Sequence, residues 1–234
     1  MSRRGYGTLL VDLDHTLLDT DAAEVAAYHH ACAVVGLDDP AGSFERYRTI
    51  NRSMWAAVEA GEMRATEVRT ARFERFAGEL GADVDAARMA DAFVWAFAHR
   101  AELFDGALEL LDALHAHATL ALVTNGLSDV QRTRIDRLGL DRYFDAIVVS
   151  GEVGVAKPDP AIFDVTFAAL NGAARSNALM IGDSISSDMR GANAAGIATC
   201  WFNPGGGSAP PDVAITHEAR SYGAIERIAL GPPS

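Results

Sequence analysis

Short apolar runs closed by polar clusters recur along this chain, and a long stretch of helical periodicity separates the first run from the second. The first, Thr8–Val11, is rich in Leu and Val and ends at Asp12, the pattern of a strand inside a sheet. From Asp21 to about Arg100 the sequence reads as helices almost without interruption. The segment 22–35 stops at Gly36, Ser43 caps a segment running to Ala60 with Gly61 as its stop, and Thr66 opens another ending near Gly81. Phe73, Phe76, Ala77 and Leu80 fall at i, i+3, i+4, i+7, and Met89, Phe93 and Phe97 at i, i+4, i+8. That spacing predicts the core of a small helical bundle rather than a cofactor site.

From Asp105 onward helix and strand alternate, which predicts a parallel sheet. Asp105 caps a helix over 107–115, and a strand over 119–123 ends in Thr124, Asn125 and Gly126. Ser128 caps a helix stopped by Gly139, and the strand 146–149 follows. Asp159 and Pro160 supply an N-cap and first-turn pair for a helix to Leu170. Residues 178–181 form the next strand, ending in Gly182 and Asp183. A helix over 188–195 stops at Gly196, 197–202 is a fifth strand, and 213–215 a short edge strand after a Gly- and Pro-rich loop. The expected architecture is α/β: a Rossmann-like parallel-sheet core, residues 1–18 and 101–234, with a helical unit, 19–100, inserted after the first strand.

At 234 residues and 49% hydrophobic content the chain can bury a full core without a stabilising staple. Cys32 and Cys200 lie far apart in apolar surroundings and are expected to be reduced thiols of a cytoplasmic protein. No run approaches a membrane span, and the basic N-terminus lacks a following signal-type apolar region. A net charge of -12 argues against a nucleic-acid polymer as partner, since phosphate backbones are held by clustered Lys and Arg. A small phosphate ester stays open, because a metal ion and one or two cations can reverse a local field. A monomer or homodimer fits this picture equally.

Four strand ends present polar clusters: Asp12 with Asp14, Thr124 with Asn125, Lys157 after the third strand, and Asp183 with Asp188. Each alone reads as a cap, a turn or surface charge, but all four fall on the edge where a doubly wound sheet binds ligands. Each type meets a requirement of phosphoryl transfer, where positioning and charge neutralisation dominate. Asp12 and Asp183 offer hard oxygen ligands suited to Mg²⁺. The Thr124 hydroxyl and the Asn125 N–H can donate to phosphate oxygens, and Lys157 gives a point positive charge. Lys157 is the chain's one lysine among 19 arginines, which favours a compact ammonium between phosphate and carboxylate over an exposed loop residue. His15 is a loop-lining position rather than a base, since Asp14 already fills that role.

Taken together, DLDHT (Asp12 to Thr16), VTNG (Val123 to Gly126), VAKPDP (Val155 to Pro160) and GDSISSD (Gly182 to Asp188) resemble the haloacid dehalogenase superfamily of phosphohydrolases, across nearly the whole chain. The resemblance implies a Rossmann-like core with a helical cap. It implies Asp12 as the nucleophile that forms an aspartyl phosphate, and Asp14 as the acid that protonates the leaving oxygen and then activates water. Asp12, the Asp14 carbonyl and Asp183 would hold Mg²⁺, Asp188 would support that shell, and Thr124, Asn125 and Lys157 would bind phosphate. Asp14 argues for phosphate chemistry, because dehalogenase members lack that second aspartate. His15 departs from the commoner Asp or Gly.

Within the superfamily, Tyr47 to Met63, Thr70 to Leu80 and Ile185 to Asn203 look like the pyrimidine 5′-nucleotidase branch. Asn51, Arg52 and Trp55 are the cap residues expected to face substrate, with Trp55 as plain bundle core the equal alternative. The expected activity is a Mg²⁺-dependent phosphatase of small phosphomonoesters, a nucleoside 5′-monophosphate first and sugar phosphates or phosphoglycolate second. A receiver-like signalling module shares the acidic pair, Thr and Lys. It lacks the helical insert, however, and carries its phosphoacceptor after the third strand, where this chain has Ser150 and Gly151.

Overall fold

The computed structural model describes residues 5–38, 40–171 and 173–232. The chain opens with strand β1 (Thr8–Val11), followed by four helices in succession: α1 (Thr20–Val35), α2 (Pro40–Glu59), α3 (Ala65–Leu80) and α4 (Ala86–His99). It continues through α5 (Ala107–His115), β2 (Thr119–Thr124), α6 (Ser128–Arg137), β3 (Ala146–Val149), α7 (Ser150–Val153) and α8 (Ala161–Ala169). After β4 (Ala178–Gly182) come α9 (Arg190–Ala194), β5 (Ala198–Phe202), β6 (His217–Ala219) and α10 (Tyr222–Leu230). The strands form one parallel sheet in the order β3-β2-β1-β4-β5-β6. The strand order reverses between β1 and β4, so their carboxyl ends flank the crevice where such sheets bind ligands.

Both faces of the sheet are covered, which is why the central strands are apolar at successive positions. Leu9, Val11, Leu120, Leu122, Leu179 and Ile181 pack on one side against α5 and α10 through Leu110, Leu111, Leu114 and Ile225. The alternate residues Leu10, Ala121, Val123 and Met180 pack on the other side against α8 and α9 through Ile162, Phe163, Phe167 and Ala192. Helices α1–α4 have a separate core of Tyr28, Tyr47, Phe73, Phe76, Met89 and Phe93, in which Tyr47 stacks on Phe73. The predicted aromatic face is this core, with Phe93 and Phe97 also reaching the cavity described below. A small apolar seam of Val94, Ala98, Leu127 and Val130 seats α4 against α6.

Several local expectations are corrected. Ser43 does not cap α2. The helix starts at Pro40, whose missing N–H suits a first turn, and Ser43 instead hydrogen-bonds Tyr28 at 2.7 Å. Asp105 and Ser128 make no capping bond either: Gly106 and Leu127 are the N-cap residues, and the Ser128 hydroxyl donates to Glu152. The segment expected as one helix over 188–195 is a wide π-type turn, Ile185–Met189, running into α9. The edge strand lies at His217–Ala219 rather than 213–215, and α7 and α10 are helices additional to those the pattern predicts. Both cysteines are free and buried, and no helix among the described residues is long and apolar enough to cross a membrane.

Candidate active site

Asp12 leaves the end of β1 buried, and Lys157, only 1% exposed, meets it from the loop after α7. The Lys157 ammonium donates to Asp12 Oδ1 at 2.5 Å, to Asp188 Oδ1 at 2.7 Å and to the Val123 carbonyl at 2.7 Å. Burial would push the amine's pKa down, but the two carboxylates outweigh it and hold Lys157 well above its ordinary value. Asn125 positions the lysine's main chain rather than offering its side chain to a ligand. Its Nδ2 donates to the Lys157 carbonyl and its Oδ1 accepts from the Lys157 N–H, both at 2.8 Å.

Asp183 and Asp188 come off the end of β4. Asp188 accepts from Lys157 on one oxygen and from the Ser184 N–H on the other, and it lies against Gly182. A Cβ at position 182 would come within 2.2 Å of Asp188 Oδ2, so this close approach requires glycine. Asp183 receives the Thr16 hydroxyl, and its carbonyl accepts from Trp201 Nε1. Burial, and then the neighbouring Asp188 charge, push Asp183 up to about 7. Asp12 is likewise raised by burial, with Lys157 opposing and Asp188 and Asp183 adding to the rise.

Asp12, Asp183 and Asp188 each present an oxygen within 4.8 Å of the others. When all are ionised, the three carboxylates against one ammonium carry two negative charges, a donor set of hard oxygens that fits a divalent cation such as Mg²⁺. Both Asp188 oxygens already have protein partners, which suits it to supporting such a site rather than ligating directly.

Asp14 stands apart from that cluster. Its Oδ1 accepts from Thr20 and from Arg134 Nη1, each at 2.8 Å, and its Oδ2 from Gln131 Nε2 at 2.7 Å. Burial opposes the charge, but Arg134, Gln131 and Thr20 outweigh it and hold Asp14 below its usual pKa. His15 sits at a left-handed φ of 58°, where the loop after β1 turns along the cavity. Thr124 differs from the expectation of an open phosphate donor: it is fully buried, and its hydroxyl accepts from Gln131 at 2.7 Å.

A cavity of about 820 Å³ separates these groups from the helices above and is lined by Asp12, Asp14, Asn125, Lys157 and Asp183 on the sheet side. On the helical side Asn51, Arg52 and Trp55 all reach it. Arg52 is exposed, while Trp55 both lines the cavity and packs on the helical core. The sequence reading missed Glu24, Arg72, Gln131 and Arg134. Asn51 links two of them, donating to Glu24 at 2.6 Å and accepting from Arg72 Nη1 at 3.0 Å. Arg72 is 4% exposed and lies over the Phe93 ring, with its Nε buried and unpartnered among the described residues. Gln131 and Arg134 do carry one legible signal: two polar residues share the buried face of α6 with Val130 and Ile135.

The family of haloacid dehalogenase-like hydrolases matches residues 9–202. The chain is 36% identical over 188 residues to the pyrimidine 5′-nucleotidase YjjG of Escherichia coli (strain K12), covering 80% of this chain and 83% of that one. It is 33% identical over 218 residues to the pyrimidine 5′-nucleotidase PynA of Streptococcus pneumoniae (strain ATCC BAA-255 / R6), covering 93% and 92%. Its fold superposes on the HAD-hydrolase YfnB of Bacillus subtilis bound to magnesium with a TM-score of 0.88 at 33% identity, over 97% of this chain and 99% of that one. These matches set aside the signalling-module alternative. Matched from its first strand to its fifth, the chain belongs to the haloacid dehalogenase-like hydrolases and is a phosphoric monoester hydrolase of that family.

Proposed function

We propose that the protein hydrolyses nucleoside 5′-monophosphates, pyrimidine nucleotides foremost, by way of an aspartyl phosphate on Asp12, with α1–α4 acting as a cap over the site. The observation that carries this reading is the convergence of Asp12, Lys157 and Asp183 at the floor of a cavity whose wall holds Asp14. In the first step an Asp12 oxygen bonds to phosphorus as the bond to the ester oxygen breaks, and the ester oxygen takes a proton from Asp14, whose protonated form is the minority one that Arg134 and Gln131 make ready to give its proton up. In the second, water bonds to phosphorus and gives a proton to Asp14. The bond to Asp12 breaks, and inorganic phosphate leaves.

Lys157 holds Asp12 in place and offers positive charge toward the phosphoryl oxygens. Asn125 fixes the lysine segment and presents its main-chain N–H to phosphate. Thr124 acts through Gln131 rather than by touching phosphate. Mg²⁺ would be held by Asp12, Asp183 and the Asp14 carbonyl, with Asp188 in support, and would supply neutralisation of phosphoryl charge.

The pyrimidine preference draws support from the two nucleotidase relatives and from the polar relay Glu24–Asn51–Arg72 across the cavity roof, which suits a leaving group with hydrogen-bonding edges. The two free, buried thiols accord with this chemistry taking place in the cytoplasm. The test is phosphate release from a panel of nucleotides, sugar phosphates and phosphoglycolate, with Mg²⁺ and then with chelator. A pyrimidine nucleotide should lead in kcat/KM, and chelation should abolish turnover. Uniformly low rates across the panel would refute the nucleotide assignment.

A further inference from the structure

Arg134 is fully buried, yet it extends from α6 into the catalytic wall. Its Nε donates to the Phe97 carbonyl in the last turn of α4 at 3.2 Å, and the guanidinium carbon lies 3.8 Å from the centre of the Phe97 ring. Its Nη1 donates to Asp14 Oδ1 at 2.8 Å and to Gln131 Oε1 at 3.0 Å, while Nη2 is buried and unpartnered among the described residues. Burying a guanidinium is costly, and a simple tie between helices would be served as well by apolar residues. What this arginine adds is direction. The planar fork is rigid, so seating one arm on α4 fixes where the other meets Asp14.

Gln131 completes the arrangement from the adjoining turn of α6. Its Nε2 meets Asp14 Oδ2 at 2.7 Å, and its Oε1 receives Arg134. Asp14 Oδ1 thus has two donors, Thr20 and Arg134, whereas Oδ2 has a single neutral one. Oδ2 is therefore the oxygen left to exchange a proton with substrate.

We infer that Arg134 is the positioning residue of Asp14: anchored on the Phe97 carbonyl and braced by Gln131, it aims Oδ2 at the leaving-group oxygen only while α4 is seated against α6. The inference rests on the phosphatase reading above and goes beyond it in naming what orients the acid and base. A purely structural Arg134 would have a different kinetic effect. Its loss would lower the amount of active protein without changing which substrates need Asp14.

The experiment compares uridine 5′-monophosphate, whose alkoxide must be protonated, with p-nitrophenyl phosphate, whose nitrophenolate leaves unaided. Arg134→Gln should lose about a hundredfold in kcat on the nucleotide, the low end of general acid catalysis. With p-nitrophenyl phosphate under stopped flow, it should release one nitrophenolate per site in a fast burst and then turn over slowly, because Asp14 must still activate water. Asp14→Asn provides the reference for that signature. Arg134→Lys keeps a cation but cannot span both partners, and it should show the same burst with about a tenfold loss. This second variant carries the test if Arg134→Gln fails to fold. Equal losses on both substrates without a burst, in whichever variant folds, would overturn the inference while leaving the phosphatase reading intact. Absence of Mg²⁺-dependent hydrolysis of either ester by the wild type would overturn both.

Discussion

Replacing Lys157 by Arg keeps the charge and changes only its shape, which makes it a searching test of the floor of the site. The lysine nitrogen sits among three acceptors, Asp12 Oδ1, Asp188 Oδ1 and the Val123 carbonyl, all 2.5 to 2.7 Å away. The side chain is 1% exposed and its ammonium is enclosed by these acceptors, so a wider head group must either displace one of them or swing into the adjoining cavity and leave them unpaired. A planar guanidinium can be seated there only by moving a carboxylate. Overpacking of this kind costs about 1–3 kcal/mol, and at roughly 2–4 °C per kcal/mol for a chain of this size the melting temperature should fall by about 2–12 °C. If Asp12 is the group displaced, the nucleophile leaves its line of attack, and kcat/KM should fall by roughly tenfold to a thousandfold. Lys157→Met is the companion variant. It fits sterically but leaves Asp12 and Asp188 without a counter-charge, costing about 3–5 kcal/mol, part of which saturating Mg²⁺ should restore. Thermal unfolding with and without Mg²⁺, and kcat/KM on p-nitrophenyl phosphate, measure these effects. A Lys157→Arg protein within about twofold of wild type in activity, and unshifted in melting temperature, would refute the tight three-acceptor seat from which these magnitudes come.

Asp12→Asn should fold normally and lose turnover entirely, since an amide does not attack phosphorus; sustained phosphate release by a preparation free of wild-type enzyme would disprove the nucleophile assignment. Asn51→Ala interrupts the Glu24–Asn51–Arg72 relay and should raise KM for a pyrimidine nucleotide about tenfold, the effect of a lost hydrogen bond to a buried charge, with less than about a threefold change on p-nitrophenyl phosphate. Equal changes on both would make the relay a stabilising element of the cap alone. Because Asp183 is raised to about 7, the metal-free fold binds its proton more tightly than the unfolded chain does, so stability in chelator should decline as pH rises from about 4 to about 7. Over the upper part of that range the apparent Mg²⁺ affinity should climb and then level off, as the ion no longer has to displace the proton. Calorimetric Mg²⁺ binding that is flat below pH 7 would contradict it.

The sequence by itself determined the elements whose signals are local. The apolar run Thr8–Val11 closed by Asp12 marks β1 because a strand buried on both faces needs continuous apolar side chains, and the chain must become polar where it reaches the ligand crevice. Gly36 and Gly81 mark helix ends because each adopts a left-handed φ, near 69° and 63°, that side chains resist. The four polar strand ends were legible for the same reason, and the fold brings all four to one edge.

Only the tertiary structure decided what depends on partners distant in sequence. Ser43 and Ser128 have the chemistry of caps but are drawn to Tyr28 and Glu152, because a hydroxyl near a helix start takes whichever acceptor or donor the packing supplies. Thr124 reads as an open phosphate donor until the fold buries it completely and Gln131, seven residues on, turns inward to donate to its hydroxyl. Arg72 and Arg134 are indistinguishable in sequence from the chain's exposed arginines. Their burial is set by aromatic faces and acceptors that reach them from other helices, Phe93 and Asn51 for the one, Phe97 and Asp14 for the other. A buried charge is tolerated only where such partners converge, and that convergence is a property of the fold rather than of any local stretch of chain.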